Sequence, residues 1–365
     1  MSVMIMKTHV KIRRIAGILI SAGVLAVTVI GGFRNEAWTR WGRAAASVSA
    51  GLWQPQDGET DGSPETYPSD TPTVSAPISG STTTTAQAVQ NPTVAVTVPT
   101  RSKNSGTVVT EQLSSGKYVV GKVAVKNSAE KSIDIAKQFA TLPNIDVAKT
   151  SKPQVLILHT HTTECYLDYD AGFYNNSDPT RTRNAAKNMV AVGNAIAEQL
   201  RDAGIGVIHD TTEHDYPQYN GAYTRPLATA QRIIKQYPTI IAVLDIHRDS
   251  IMRTKNEKIK PTVEIGGKKA AQLMILTSVS NTKDVPHPNW QENLRFSLQL
   301  QNRLNTAYEG LMRPLNLVGA RYNQHLAPAS LLLEVGSEVN TLDEALYAGE
   351  LFGEQFAKQL LTLQT

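Results

Sequence analysis

The chain has 365 residues, with 36 Lys+Arg against 32 Asp+Glu, a net charge of +4 and a single cysteine. A balance this close to neutral excludes a nucleic-acid-binding domain, which carries a clear basic excess. One cysteine excludes a disulfide framework, a multi-cysteine zinc site and an iron–sulfur cluster.

Residues 1–14 hold Lys7, Lys11, Arg13 and Arg14 and no acid, and read as a short cytoplasmic N-terminus. Residues 15–33 are free of charge and apolar all round. At about 1.5 Å per residue they reach roughly 28 Å, the thickness of a bilayer's hydrocarbon core, and so predict a transmembrane anchor. A cleaved signal peptide would need a shorter apolar core with a small-residue site just after it. The best such site, Val48-Ser49-Ala50, lies far downstream. Trp38, Trp41 and Trp53 follow the span and suit a membrane interface. Residues 34–105 form a juxtamembrane segment and a Ser/Thr/Pro-rich spacer, whose few large apolar groups cannot offset the entropy of ordering. A spacer of this kind reaches about 40 Å from the membrane. It suits an exported domain, so the expected location is the cell membrane, single-pass, with the C-terminal domain extracytoplasmic.

Residues 106–365 predict one α/β domain: a single, mostly parallel sheet flanked by helices. Thr107–Gln112 and Lys117–Val125 read as strands and Ala129–Leu142 as a helix. The continuous apolar run Gln154–His159 is a strand covered on both faces. Asn184–Ala203 is a helix stopped by Gly204, followed by the strand Ile205–His209. Tyr223–Gln236 is a helix ended before Pro238, and Thr239–Ile246 is another buried strand. A hairpin is expected around Gly266-Gly267, pairing Thr262–Ile265 with Leu273–Val279. The helix Trp290–Tyr308, the strand Leu331–Val335 and the helix Leu342–Leu363 complete the order. Strands alternating with helices predict a largely parallel sheet, whose site lies beyond the strands' carboxyl ends.

Three strands end in chemistry. The first runs into His159-Thr160-His161-Thr162-Thr163-Glu164, the third into Asp245-Ile246-His247-Arg248-Asp249, and the last carries Glu334. Two histidines and one carboxylate form a catalytic zinc set with an open position for water. His161, Glu164 and His247 are the candidate ligands, with His159 and His214 as alternatives. Asp245 is a candidate to orient His247. Glu334, emerging from Leu-Leu-Leu, is the candidate general base, because desolvation raises a carboxyl toward the working range. Arg248 is a candidate to stabilise an oxyanion or bind a substrate carboxylate. Cys165 leaves a cysteine hydrolase open as an alternative.

The runs HTHTTECY (159–166), HDTTEHDYPQYNGAY (209–223), DIHRDS (245–250), HPNW (287–290) and RYNQHLAPASLLLEVGSEVNTLDEA (321–345) resemble the stage II sporulation protein P family. The resemblance covers about residues 150–365. More distantly, LLLEVGSEVNT is similar to the catalytic-Glu strand of zinc-dependent N-acetylmuramoyl-L-alanine amidases, and DIHRD to their second zinc histidine. Those amidases carry a Gly-His-Gly-Gly type turn at the first site and a zinc Glu opening the next helix. Here the first site reads HTHTTE and that helix opens with Asn184 and Asn188, so Glu164 stands in for the second ligand. The resemblance implies an enzyme that cuts peptidoglycan during engulfment of the forespore. It implies action as both amidase and peptide cross-link endopeptidase, with Zn2+ as cofactor, in company with stage II sporulation proteins D and M. A metallocarboxypeptidase-like enzyme on stem peptides and a non-catalytic wall-binding scaffold are the alternatives.

Overall fold

The computed structural model describes residues 97–365, apart from 115, 117, 220 and 222. The expected anchor at 15–33 and most of the spacer lie outside the described residues. Among the described residues no helix is long and apolar enough to cross a membrane.

The domain is mixed α/β and is built on two sheets. The main sheet contains strands β2 (Tyr118–Val120), β3 (Val123–Asn127), β4 (Pro153–Leu158), β6 (Gly206–His209), β7 (Ala242–Asp249), β11 (Leu273–Ser278), β12 (Leu315–Val318) and β13 (Leu331–Ser337). Their order is β2-β3-β12-β11-β13-β7-β4-β6. Four of them, β13, β7, β4 and β6, run parallel. The direction then reverses, because β11 is antiparallel to β13 while β12 and β3 follow β11. The expectation of a single sheet is therefore corrected: there are two sheets and both are mixed, although most pairings of the main sheet are parallel.

The second sheet supplies the reason. It contains β1 (Ser105–Glu111), β5 (Phe173–Asn175), β8 (Met252–Thr254), β9 (Glu257–Ile265) and β10 (Lys268–Ala271), in the order β10-β9-β1-β5 with β8 also on β9. Gly266 and Gly267, both at positive φ, turn β9 into β10, whereas the sequence paired β9 with β11. The chain then crosses between sheets at Gln272. Its backbone N–H donates to Pro261 O at 2.9 Å, and its side-chain amide holds Leu113 and Gly310 O. Because β11 starts from this crossing, beside the carboxyl end of β13, it has to run against β13.

The helices are α1 (Ile135–Ala140), α2 (Met189–Asp202), α3 (Thr224–Gln236), α4 (Trp290–Ala307) and α5 (Leu342–Leu361). Two begin later than the sequence pattern suggests, because the cap decides. Asp134 accepts from Lys137 N at the start of α1, and Asn188 from Val190 N at the start of α2. Apolar side chains of β4, β7, β11 and β13 meet α2, α4 and α5 in the main core, where Phe296, Phe352 and Phe356 pack together. The opposite face of the main sheet carries two smaller clusters. One lies beneath α3, with Leu156, Leu158 and Val243; the other holds Met274, Leu276, Val318 and Leu332, packed by Tyr322.

Candidate active site

The site grows on that opposite face from the carboxyl ends of β4, β7 and β13. Along β7 successive side chains alternate faces, so Asp245, His247 and Asp249 point one way. In the parallel ladder Glu334 of β13 stands level with His247. Past Glu334 the ladder is irregular, with Gly336 at φ +63°, and a Cβ there would come within 2.5 Å of Asn340 Oδ1. This bulge lets β13 end its pairing beside β7 while Glu334 stays in register.

The segment His159–Glu164 leaves β4 and is buried throughout. Both ring nitrogens of His159 are engaged, Nδ1 with Ile246 O at 3.1 Å and Nε2 with His209 Nε2 at 2.8 Å. His214 is engaged in the same way, with His159 O at 2.9 Å and Thr229 Oγ1 at 3.1 Å. His161 differs: its Nδ1 is buried with no hydrogen-bond partner, and its ring meets that of His247 edge-to-face at 5.2 Å. Glu164 Oε2 lies 3.8 Å from His247 Nδ1 and accepts from Arg248 N at 3.3 Å. Its Oε1 has no hydrogen-bond partner and faces Arg181 Nη2 at 3.6 Å. His161, Glu164 and His247 are thus brought together, whereas His159 and His214 are tied into the wall behind them. Among the described residues no three His, Cys, Asp or Glu side chains stand in ready ligating geometry.

Asp245 Oδ1 lies 3.0 Å from His247 Nε2. Thr160 holds the same carboxylate through its N–H at 2.8 Å and its hydroxyl at 2.6 Å. Burial alone would lift Asp245, but His247 and Thr160 bring it down to about 2. Burial would depress His247, but Asp245 outweighs it and raises the ring to about 9. Burial, helped by His247, lowers His161 to about 2, so this ring stays neutral with a lone pair to give. Burial, then the charge of Asp249, pushes Glu334 well above the usual carboxylate range, and its Oε2 has no hydrogen-bond partner.

The charge of Arg248 bears on Glu164, while its side chain is held by backbone carbonyls. Its Nε donates to Cys165 O at 3.1 Å and its Nη2 to Thr180 O at 2.8 Å, which clamps the loop after Glu164. Burial pushes the Cys165 thiol up to about 11, far from a thiolate nucleophile at neutral pH.

Several groups around the site were not singled out from the sequence. Tyr219 stacks on His161 at 4.8 Å, and the Arg181 guanidinium lies over the Tyr219 ring at 4.9 Å. Arg181 also pairs with Asp215. Tyr223 meets His161 edge-on at 5.8 Å and Tyr322 at 5.5 Å. Arg313 Nη2 reaches Asp249 Oδ2 at 2.8 Å, in the depth of the site. Tyr219 and Tyr223 lie in the same run as His214, and that placement was their one signal. Nothing in the sequence around Arg313 marks it.

The family model for stage II sporulation protein P (SpoIIP) matches residues 75–357. The stage II sporulation protein P of Bacillus subtilis (strain 168) is 27% identical over 220 residues, which is 56% of this chain and 51% of that protein. The chain thus spans about half the length of the curated relative it matches. Among solved structures, the N-acetylmuramyl-L-alanine amidase Ami1 of Mycobacterium smegmatis is 12% identical over 60% of this chain and 100% of its own, with a TM-score of 0.34. An N-acetylmuramoyl-L-alanine amidase of Clostridium difficile 630 is 14% identical over 58% and 97%, with a TM-score of 0.31. With most of its length, including every strand that frames the site, inside the family's match, the chain belongs to the stage II sporulation protein P family.

Proposed function

We propose that the protein is a membrane-anchored, zinc-dependent peptidoglycan hydrolase, cleaving the N-acetylmuramoyl-L-alanine amide and the peptide cross-link during sporulation engulfment. The observation that carries this reading is the meeting of His161, whose buried Nδ1 has no hydrogen-bond partner, with His247 and with Glu164, whose Oε2 lies 3.8 Å from His247 Nδ1, directly beside Glu334, whose Oε2 is unpartnered. A neutral imidazole, a second imidazole and a carboxylate suit Zn2+. His161, Glu164 and His247 would hold it. When bound, the metal supplies Lewis-acid activation of water and of the amide carbonyl.

The chain's own residues do the rest. Thr160 fixes Asp245, and Asp245 fixes the tautomer and orientation of His247. Burial and Asp249 raise Glu334 in the metal-free site; the charge of a bound cation would bring it down, so that as a carboxylate it would take the proton of the attacking water and hand it to the leaving amine nitrogen. Tyr219 and Tyr223 flank His161 and shield the cluster from bulk water. The anchor at 15–33 and the spacer would hold the domain on the outer side of the membrane, with stage II sporulation proteins D and M as partners.

The test is to quantify zinc in the purified full-length chain and to digest purified sacculi with and without a chelator. The expected result is zinc near one equivalent, release of new amino termini from sacculi, loss of activity with chelator and recovery on adding zinc. Activity that ignores chelators would overturn the metal reading. Sacculi left intact by zinc-loaded protein would favour the wall-binding scaffold.

A further inference from the structure

Three arginines surround the site, and two of them have spent their donors. Arg181 is engaged by Asp215, Thr163 and Glu164, and Arg248 by two backbone carbonyls. Arg313 is different. It precedes β12 and is nearly buried, and its Nη2 donates to Asp249 at 2.8 Å. Its Nη1 is buried with no hydrogen-bond partner. A guanidinium presents a planar fork of N–H groups suited to a carboxylate, and a buried charged donor left unmatched calls for an explanation.

Its position supplies one. Arg313 N–H donates to Leu273 O at 2.7 Å, and the next residue, Met274, is the cross-strand partner of Glu334. The charge of Arg313 accordingly reaches Glu334. On the same face Met274, Leu276, Val318 and Leu332 form a buried apolar cluster packed by Tyr322. An unmatched guanidinium nitrogen and the candidate base thus lie close together.

We propose that Arg313 is a substrate-binding residue that anchors a carboxylate of the acidic stem peptide. This rests on the hydrolase reading above and names the chemistry that reading leaves open: the enzyme selects peptides by a free carboxylate next to the scissile amide. Asp249 keeps the guanidinium in place through Nη2 and leaves Nη1 for the ligand.

The test compares a muramyl peptide bearing a free glutamate carboxylate with the same peptide as its carboxamide, by calorimetric titration of the full-length zinc-supplemented chain carrying Glu334→Gln. The carboxylate form is expected to bind at least about 10-fold tighter, the scale of one charge-assisted fork. Adding Arg313→Gln should lower its affinity to that of the carboxamide and leave the carboxamide unchanged. Arg313→Lys keeps the charge beside Asp249 but loses the fork, and should lose most of the preference. Equal affinities before any change at Arg313, no binding of either peptide, or a preference that survives Arg313→Gln overturns the proposal. If Arg313→Gln fails to fold, the parent protein and Arg313→Lys decide between the same outcomes. Sacculus digestion by the unsubstituted chain reports separately on the hydrolase reading.

Discussion

Glu334 and Glu164 are two buried carboxyls with different expected duties, and substitution separates them. Glu334 makes no hydrogen bond through Oε2, and burial and Asp249 raise it above the usual carboxylate range, so Glu334→Gln preserves shape and packing. On the proposed zinc reading, we expect this variant to bind Zn2+ as the parent does and to keep its melting temperature while turnover falls by at least about 10²-fold, the lower range for a general base. Retained turnover would remove Glu334 from the mechanism. Glu164 is flanked by Arg181 Nη2, Arg248 N and His247. Glu164→Ala should lower zinc affinity and activity together, since it leaves two protein ligands. Full zinc occupancy in that variant would assign Glu164 to orienting its neighbours. His159 and His161 show how far the sequence reaches at this scale. They share strand parity and differ by two positions, yet one ring is used up between Ile246 O and His209 while the other keeps Nδ1 open. Parity cannot distinguish them, because the difference is made by β6 and β7, which are distant in sequence. Arg313 was illegible for the same reason: its meaning comes from Asp249, 64 residues away.

Among the elements, the runs QVLIL, AVLDI and LLLEV were legible because strands covered on both faces must be apolar at every position. The short strands β5, β8, β10 and β12 have three or four residues each, too few for a period to show. The direction of β11 could not be read either, since it depends on where Gln272 lets the chain cross. The junction between the two sheets also contains a testable ion pair. Lys260 of β9 is buried, with Nζ 2.6 Å from Asp170 Oδ1 and 2.7 Å from Glu344 Oε1. Glu344 is also the partner of Thr341 in the capping box that starts α5. Removing one partner of a buried pair leaves the other uncompensated, so Lys260→Met should cost about 3–5 kcal/mol in denaturant unfolding. Combining it with Glu344→Gln should recover part of that loss, because the buried charge goes too. A cost below about 1 kcal/mol would mean that the pair is as weak as a surface one.

For the whole molecule, the histidines set a pH window for the metal-free protein. Burial lowers His209 and His287 to about 4. Such a ring takes up a proton near pH 6.5 only in the unfolded chain, so the stability it contributes is complete above that pH and drains away as pH falls toward 4. His247 has the opposite sign. Raised to about 9 against burial by Asp245, it contributes fully below pH 6.5 and loses that contribution as pH rises through 9. The melting temperature of the metal-free chain should therefore peak near neutrality and fall on both sides. Zinc should flatten the alkaline limb, since a metal takes the place of the proton on the ring. A curve still rising from pH 7 to 9 without metal would contradict the Asp245–His247 pairing.

The position of β1 has a mechanical consequence. It is the first strand of the described fold, and the chain enters it at Ser105 from the side of the spacer. Tension arriving from that direction acts along β1, whose five residues Thr107–Glu111 are held parallel to β9 while its first residues are held against β5. A strand pulled along its own axis must shear all these bonds together, whereas one peeled from its end gives them up singly. If β1 did give way, the small sheet would lose a central strand, but β4, β7 and β13 pair only within the main sheet. If the proposed anchor holds the domain through this end, a pull would reach the small sheet first and leave the strands that bear His247 and Glu334 out of the line of force.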